Sequence, residues 1–240
     1  MRAPDAKKND LKPHLKRQWV IPPEADAEFV CAMEDVLEVY HRDFDPKRPV
    51  LCLDESSKQL VAQTRAPLQM APGQSAREDY EYERRGTANL FLVTEPLVGQ
   101  RRVKVTDRRT AVDFAHFVRD IVDQWYPDAE TIVLVMDNLN THKLASLYEA
   151  FAPAEARRLV EKLEIHYTPK HGSWLNIAEI EFSLLSRECL DRRIASVEEL
   201  RKEIAAWQRQ RNRQHGTVDW QFTTQDARTR LRRLYPSTQD

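Results

Sequence analysis

The 240-residue sequence has no apolar run approaching the roughly 20 residues that cross a bilayer. Its N-terminus, "MRAPDAKKNDLKPHLKRQW", has no apolar core of the kind a secretion signal needs, so export is not expected. Cysteine is sparse. Cys31, Cys52 and Cys189 are far apart, odd in number and without a CxxC pair. That argues against a disulfide framework or a zinc finger and fits a reducing cytoplasm. No internal repeat or low-complexity tract is visible.

Net charge is also small, at −1, but unevenly spread. Residues 1–18 hold six Lys/Arg against two acids, and residues 187–240 hold twelve against eight. An acidic middle therefore lies between two basic ends. Basic flanks suit phosphate contacts, and an acidic centre suits bound cations.

Periodicity divides the chain. Residues 1–23 read as an extended basic lead. Phe29, Val30, Met33, Val36, Leu37 and Tyr40 share one face of a helix over 24–41. "DPKRP" ends it, and an apolar strand runs from Val50 to Asp54, with a short strand over 59–64. Residues 65–86 are polar and aperiodic, and read as a long loop. "TANLFLVTEP" and "GQRRVKVTD" are two strands joined near Gly99. Thr110 caps a helix that ends at Tyr126-Pro127. A strand over 131–136, helices over 141–151 and 153–163, and the strand "EIHYTP" follow, with Pro153 at a helix start. The remainder reads as helices over 174–190, 196–213 and 223–234.

Three sequential strands form an antiparallel meander, and strands alternating with helices add in parallel. The expected fold is α/β, a mixed five-stranded sheet flanked by helices. The runs at 50–53 and 132–136 are apolar throughout, as strands buried on both faces are. Side by side and parallel, they would bring Asp54 and Asp137 out at one end, where ligands of open α/β sheets gather. Two such carboxylates repel each other, and a hard divalent cation removes the conflict. A third acid is available in "GSWLNIAEIEFS", as Glu179 or Glu181. Helical spacing sets these two roughly 200° apart, so only one can face the aspartates.

"LCLDES", "VLVMDNLNTHK" and "YTPKHGSWLNIAEIEFSLLS", with "ERRGTANLF" and "DWQFTTQDARTRLRRLYP", resemble blocks of the mariner-type bacterial insertion-sequence transposases, in the DDE superendonuclease group. The resemblance spans about residues 10–236. It implies an RNase H-like fold and a catalytic trio of Asp54, Asp137 and Glu179 that binds two Mg²⁺ ions, with Mn²⁺ as a substitute. It implies metal-dependent cleavage of double-stranded DNA at transposon ends and strand transfer into target DNA. Ile177 stands where the family has Pro. The step from Asp137 to Glu179 is 42 residues, longer than in mariner relatives.

Candidate DNA contacts are His142, Lys170, His171, Arg192, Arg193, Arg209, Arg211 and Arg213, with Trp174 as a base-stacking or core residue. Glu55 is expected to point away from Asp54. The expected division is a basic lead and connector helix over 1–48, a catalytic domain over 49–215 and a basic helical tail over 216–240. The family's N-terminal helix-turn-helix domains are missing from this sequence. The chain thus reads as a catalytic part, with a separate helix-turn-helix polypeptide as one expected partner. A homodimer on DNA, touching through the 65–86 segment, and a bacterial cytoplasmic, nucleoid-associated setting are also expected. The competing readings are an inactive remnant that binds DNA or dimerises, and an RNase H-like nuclease that does not join strands.

Overall fold

A computed structural model of the chain describes residues 22, 24–139 and 141–236. The basic lead expected over 1–23 therefore lies almost wholly outside the described residues. Among the described residues seven α-helices and five strands follow in the order α1 (Ala27–Tyr40), β1 (Val50–Gln63), β2 (Tyr82–Glu95), β3 (Gln100–Thr106), α2 (Ala111–Asp120), β4 (Ile132–Met136), α3 (Ala145–Ala150), α4 (Pro153–Glu161), β5 (Leu163–Tyr167), α5 (Ile177–Leu185), α6 (Val197–Arg213) and α7 (Thr224–Arg230).

The sheet order is β3-β2-β1-β4-β5. β1 and β2, and β2 and β3, are antiparallel, whereas β4 is parallel to β1 and β5 to β4. This is the expected meander with two parallel additions. β1 and β4 lie at its centre, where only apolar runs can be covered on both sides.

Side-chain alternation sorts the two cores. Cys52, Leu90, Leu92, Val133 and Val135 face α1, α5, α6 and α7. Leu51, Leu53, Phe91, Leu134 and Met136 face α2, α3 and α4. Each buried Leu, Val or Phe contributes about 1.5–3 kcal/mol, so this two-sided burial dominates the stability of the sheet. α1 belongs to the first core, and Arg228 of α7 grips its Glu34 with two hydrogen bonds of 2.8 and 2.7 Å.

Local signals set most helix starts. Thr110 and Asp113 form a capping box on α2, as Thr223 and Asp226 do on α7, and Ser196 caps α6. Pro153 stands in the first turn of α4.

Two expectations need correcting. β1 does not stop at Asp54 but runs unbroken to Gln63, because it pairs with β2 along nearly its whole length. The expected loop over 65–86 is shorter, since Tyr82 to Gly86 already belong to β2. Cross-strand pairing outweighs local polarity here. The intervening arm carries two isolated bridges, Leu68 with Arg77 and Ala71 with Gln74.

Candidate active site

β1 and β4 pair in parallel as far as Cys52 opposite Val135. Two residues further along each strand come Asp54 and Asp137. Asp54 remains inside β1, and its carboxylate accepts the Glu55 N–H at 2.8 Å. Asp137 lies just past the end of β4.

Glu179 arrives from the opposite side of the chain topology, in the first turn of α5. Asn176 fixes that turn. Its side-chain oxygen accepts the Ala178 N–H at 3.1 Å, and its amide donates to the Leu53 carbonyl at 3.0 Å. The start of α5 is thereby tied to the residue immediately before Asp54. Tyr40 of α1 braces the same turn by donating to the Leu175 carbonyl at 2.7 Å. The approach to α5 is tight. A Cβ on Gly172 would come within 2.4 Å of Pro169 Cγ, and His171 adopts φ 63°. Only glycine fits at 172, so the turn that delivers α5 depends on it.

The three acids interact. Burial, with the charges of Asp137 and Glu179, pushes the Asp54 carboxyl up to about 7. Glu181 does not take part. It is fully buried between Arg101, at 3.1 Å from Nε, and Arg211, at 3.4 Å. The two glutamates of α5 thus have separate surroundings, as their spacing requires.

A set of three carboxylates, all oxygen donors, has the donor chemistry that suits a hard divalent cation. Among the described residues no group of three or more His, Cys, Asp or Glu side chains is placed to hold a metal ion as it stands. One oxygen of Asp137 is already engaged, 2.5 Å from His142 Nδ1.

The candidate DNA contacts separate into groups. Lys170 and His171 are exposed and line an open cleft of about 380 Å³ that also includes Asp137 and Thr168. Arg209 and Arg213 are exposed on α6. Arg192 pairs with Glu203, and Arg211 turns inward to Glu181. Arg193 holds the base of the arm, donating to the carbonyls of Asp79 and Glu81 at 2.6 and 3.0 Å. His142 is wholly buried, so the surface contact expected of it does not exist in this structure. Burial opposes its protonation, but contacts with Asp137 and Glu55 outweigh that and push its pKa up to about 9. Trp174 packs with Trp220 and Phe222 at ring separations of 6.5 and 6.1 Å, as a core residue does.

Sequence reasoning passed over the tether made by Asn176, although an Asn before an apolar helical run is a recognisable cap signal. It also passed over Arg101, which nothing in "GQRRVKVTD" distinguishes from its neighbours.

A five-stranded mixed sheet with one acid inside β1, one just past the end of the parallel strand β4 and a third on the later helix α5 defines an RNase H-like domain with an acidic centre. Residues 49–201 match the DDE superfamily endonuclease family, and the chain belongs to it. No curated protein matches the chain. Among solved structures it resembles the Mos1 strand transfer complex, with a TM-score of 0.55 and 14% identity over 83% of this chain and 58% of that one. It also resembles the Mos1 mariner paired-end complex with Mn, with a TM-score of 0.53 and 17% identity over 84% of this chain and 61% of that one. The likeness is one of fold, and the chain spans about three fifths of the length of these proteins.

Proposed function

We propose that this chain is the catalytic domain of a DNA transposase, cleaving DNA strands and transferring them with Asp54, Asp137 and Glu179 as its acids. The carrying observation is that the parallel β1–β4 register brings Asp54 and Asp137 out at one end of the sheet, while Asn176 ties the start of α5, with Glu179 in its first turn, to the Leu53 carbonyl. Family membership supports endonuclease chemistry, and the Mn-containing Mos1 complex of the same fold supports a divalent ion.

Asp54, Asp137 and Glu179 would hold two Mg²⁺ ions, or Mn²⁺ in their place. Bound there, the ions would supply Lewis-acid activation and charge neutralisation for in-line displacement at phosphorus. The protein's own part would be to bring the three carboxylates to one end of the sheet. Asn176 and Tyr40 do this for Glu179, and the β1–β4 register does it for the aspartates. Lys170 and His171, beside Asp137, would meet the DNA backbone, with Arg209 and Arg213 as outlying phosphate contacts. Double-stranded DNA is the partner this reading requires.

The test is nicking of supercoiled plasmid in Mn²⁺, with joining of a labelled oligonucleotide end to that plasmid as the transfer assay. Wild type should nick and join. Glu179→Gln should fold and do neither. Metal-independent nicking, or full activity in Glu179→Gln, would sink the proposal; nicking without joining would leave a nuclease.

A further inference from the structure

His142 is the most enclosed polar side chain near the acids, with no exposed surface. Its two ring nitrogens meet two different carboxylates. Nδ1 lies 2.5 Å from Asp137 Oδ1, and Nε2 lies 3.4 Å from Glu55 Oε2. The second contact does not reach hydrogen-bond geometry. Glu55 Oε2 and His142 Nε2 are both buried, and neither has another partner. Burying a histidine and a carboxylate whose mutual contact is a 3.4 Å ion pair short of a hydrogen bond is costly, so an apolar residue would serve better if packing were the only need.

The ring is held from all sides. Phe114 of α2 lies against it at 4.9 Å between centroids. Tyr167 donates to the His142 carbonyl at 2.8 Å, and the His142 N–H donates to the Leu139 carbonyl at 3.0 Å. Glu55 is fixed in turn by Arg109, at 3.2 Å from its other oxygen. Asp54 and Glu55 are consecutive residues of one strand, so they point to opposite faces of the sheet. Asp54 faces the α5 side. Glu55 faces the α2 side, where His142 lies. Asp137, past the end of β4, has no regular strand to orient it, and its Oδ1 meets His142.

We propose that Glu55 and His142 are positioning residues that hold one oxygen of Asp137 and so leave its other oxygen for a divalent cation. The inference rests on the reading of Asp54, Asp137 and Glu179 as cation-holding acids. It assigns the Arg109–Glu55–His142 chain a role from beneath the site, with no contact to DNA. A side chain that fixes a ligating carboxylate typically accounts for about 10–100-fold in metal affinity.

The experiment is calorimetric titration of the chain with Mn²⁺, without DNA and at one pH, with thermal unfolding in EDTA as the check on folding. His142→Phe keeps the ring and its packing on Phe114 but removes both nitrogens. His142→Asn places an amide N–H near the position of Nδ1. The expected result is Mn²⁺ binding about 10–100-fold weaker in His142→Phe and close to wild type in His142→Asn. Glu55→Gln should weaken binding by about tenfold. Wild-type affinity in His142→Phe, or equal losses in the Phe and Asn variants, would overturn the proposal. If His142→Phe does not fold, Glu55→Gln decides, and unchanged affinity there would overturn it. Mn²⁺ binding by the wild type that ignores Asp54→Asn and Asp137→Asn would refute the cation site itself, and this inference with it.

Discussion

Replacing Glu181 by Gln is the sharpest test of how α5 is held. Glu181 and Arg101 have side-chain exposures of 1% and 0%. One carboxylate oxygen lies 3.1 Å from Arg101 Nε, and the other is 3.3 Å from Nη2 and 3.4 Å from Arg211. Burial lowers the Arg101 pKa, and the Glu181 charge is what opposes that fall. The amide of Gln is neutral, so two guanidinium groups would share the site without a counter-charge. Removing one partner of a buried ion pair costs about 3–5 kcal/mol. A chain of this size loses about 2–4 °C of melting temperature per kcal/mol, so the midpoint should fall by roughly 6–20 °C. The variant should nevertheless bind Mn²⁺ and cleave DNA at a temperature well below its new midpoint, because Glu181 lies outside the acid trio. Thermal unfolding in EDTA, with Mn²⁺ titration of the folded variant at low temperature, separates the two effects. The triple change Arg101→Met, Glu181→Leu, Arg211→Met should regain most of the stability, since apolar residues of similar volume replace the whole buried ion group at little cost. A Glu181→Gln protein as stable as wild type would refute the energetic argument. A stable, folded variant that has lost Mn²⁺ would show that Glu181 is the ligand.

Other outcomes follow from the same geometry. Without metal, stability should fall as pH rises from 5 to 9. The Asp54 carboxyl is raised from 3.8 to about 7, so the fold holds a proton the unfolded chain has released; the stabilisation by His142, raised from 6.5 to about 9, is lost above that lower value. Urea unfolding in EDTA should show this, and Asp54→Asn should remove the part below pH 7. Asn176→Ala should cost about 1 kcal/mol for the cap and about 1–3 kcal/mol for the unpaired Leu53 carbonyl, and should lower cleavage more than stability alone explains. Equal turnover in the folded Ala variant would count against the tether. Trypsin should cut first after Arg65 or Arg77 in the exposed arm, where Met70 and Tyr80 are 77% and 85% exposed. Early cleavage elsewhere among the described residues would contradict that.

The sheet was legible because its evidence is local. Five apolar residues at 132–136 and four at 50–53 can be buried on both faces only at the centre of a sheet, and three strands in succession with no helix between them leave an antiparallel meander as the simplest arrangement. The acids stood out locally for the same reason, since each follows an apolar run or opens a helix. The rest depends on partners far away in sequence. Nothing in the local pattern says that β1 continues to Gln63, because that length is set by pairing with β2. His142 reads as a polar loop residue, and its burial appears only when α2 brings Phe114 over it and β1 brings Glu55 beneath it. Glu181 differs from Glu179 by two positions, yet one faces the aspartates and the other faces Arg101, 80 residues away. A carboxylate's role in this protein is decided by which side of an element it occupies. Asp54 and Glu55 are therefore better understood as members of two different sites than as a pair. One lies on the α5 face among acids, and the other on the α2 face beneath His142. Asp137, at the open end of β4, is the residue through which the two faces meet.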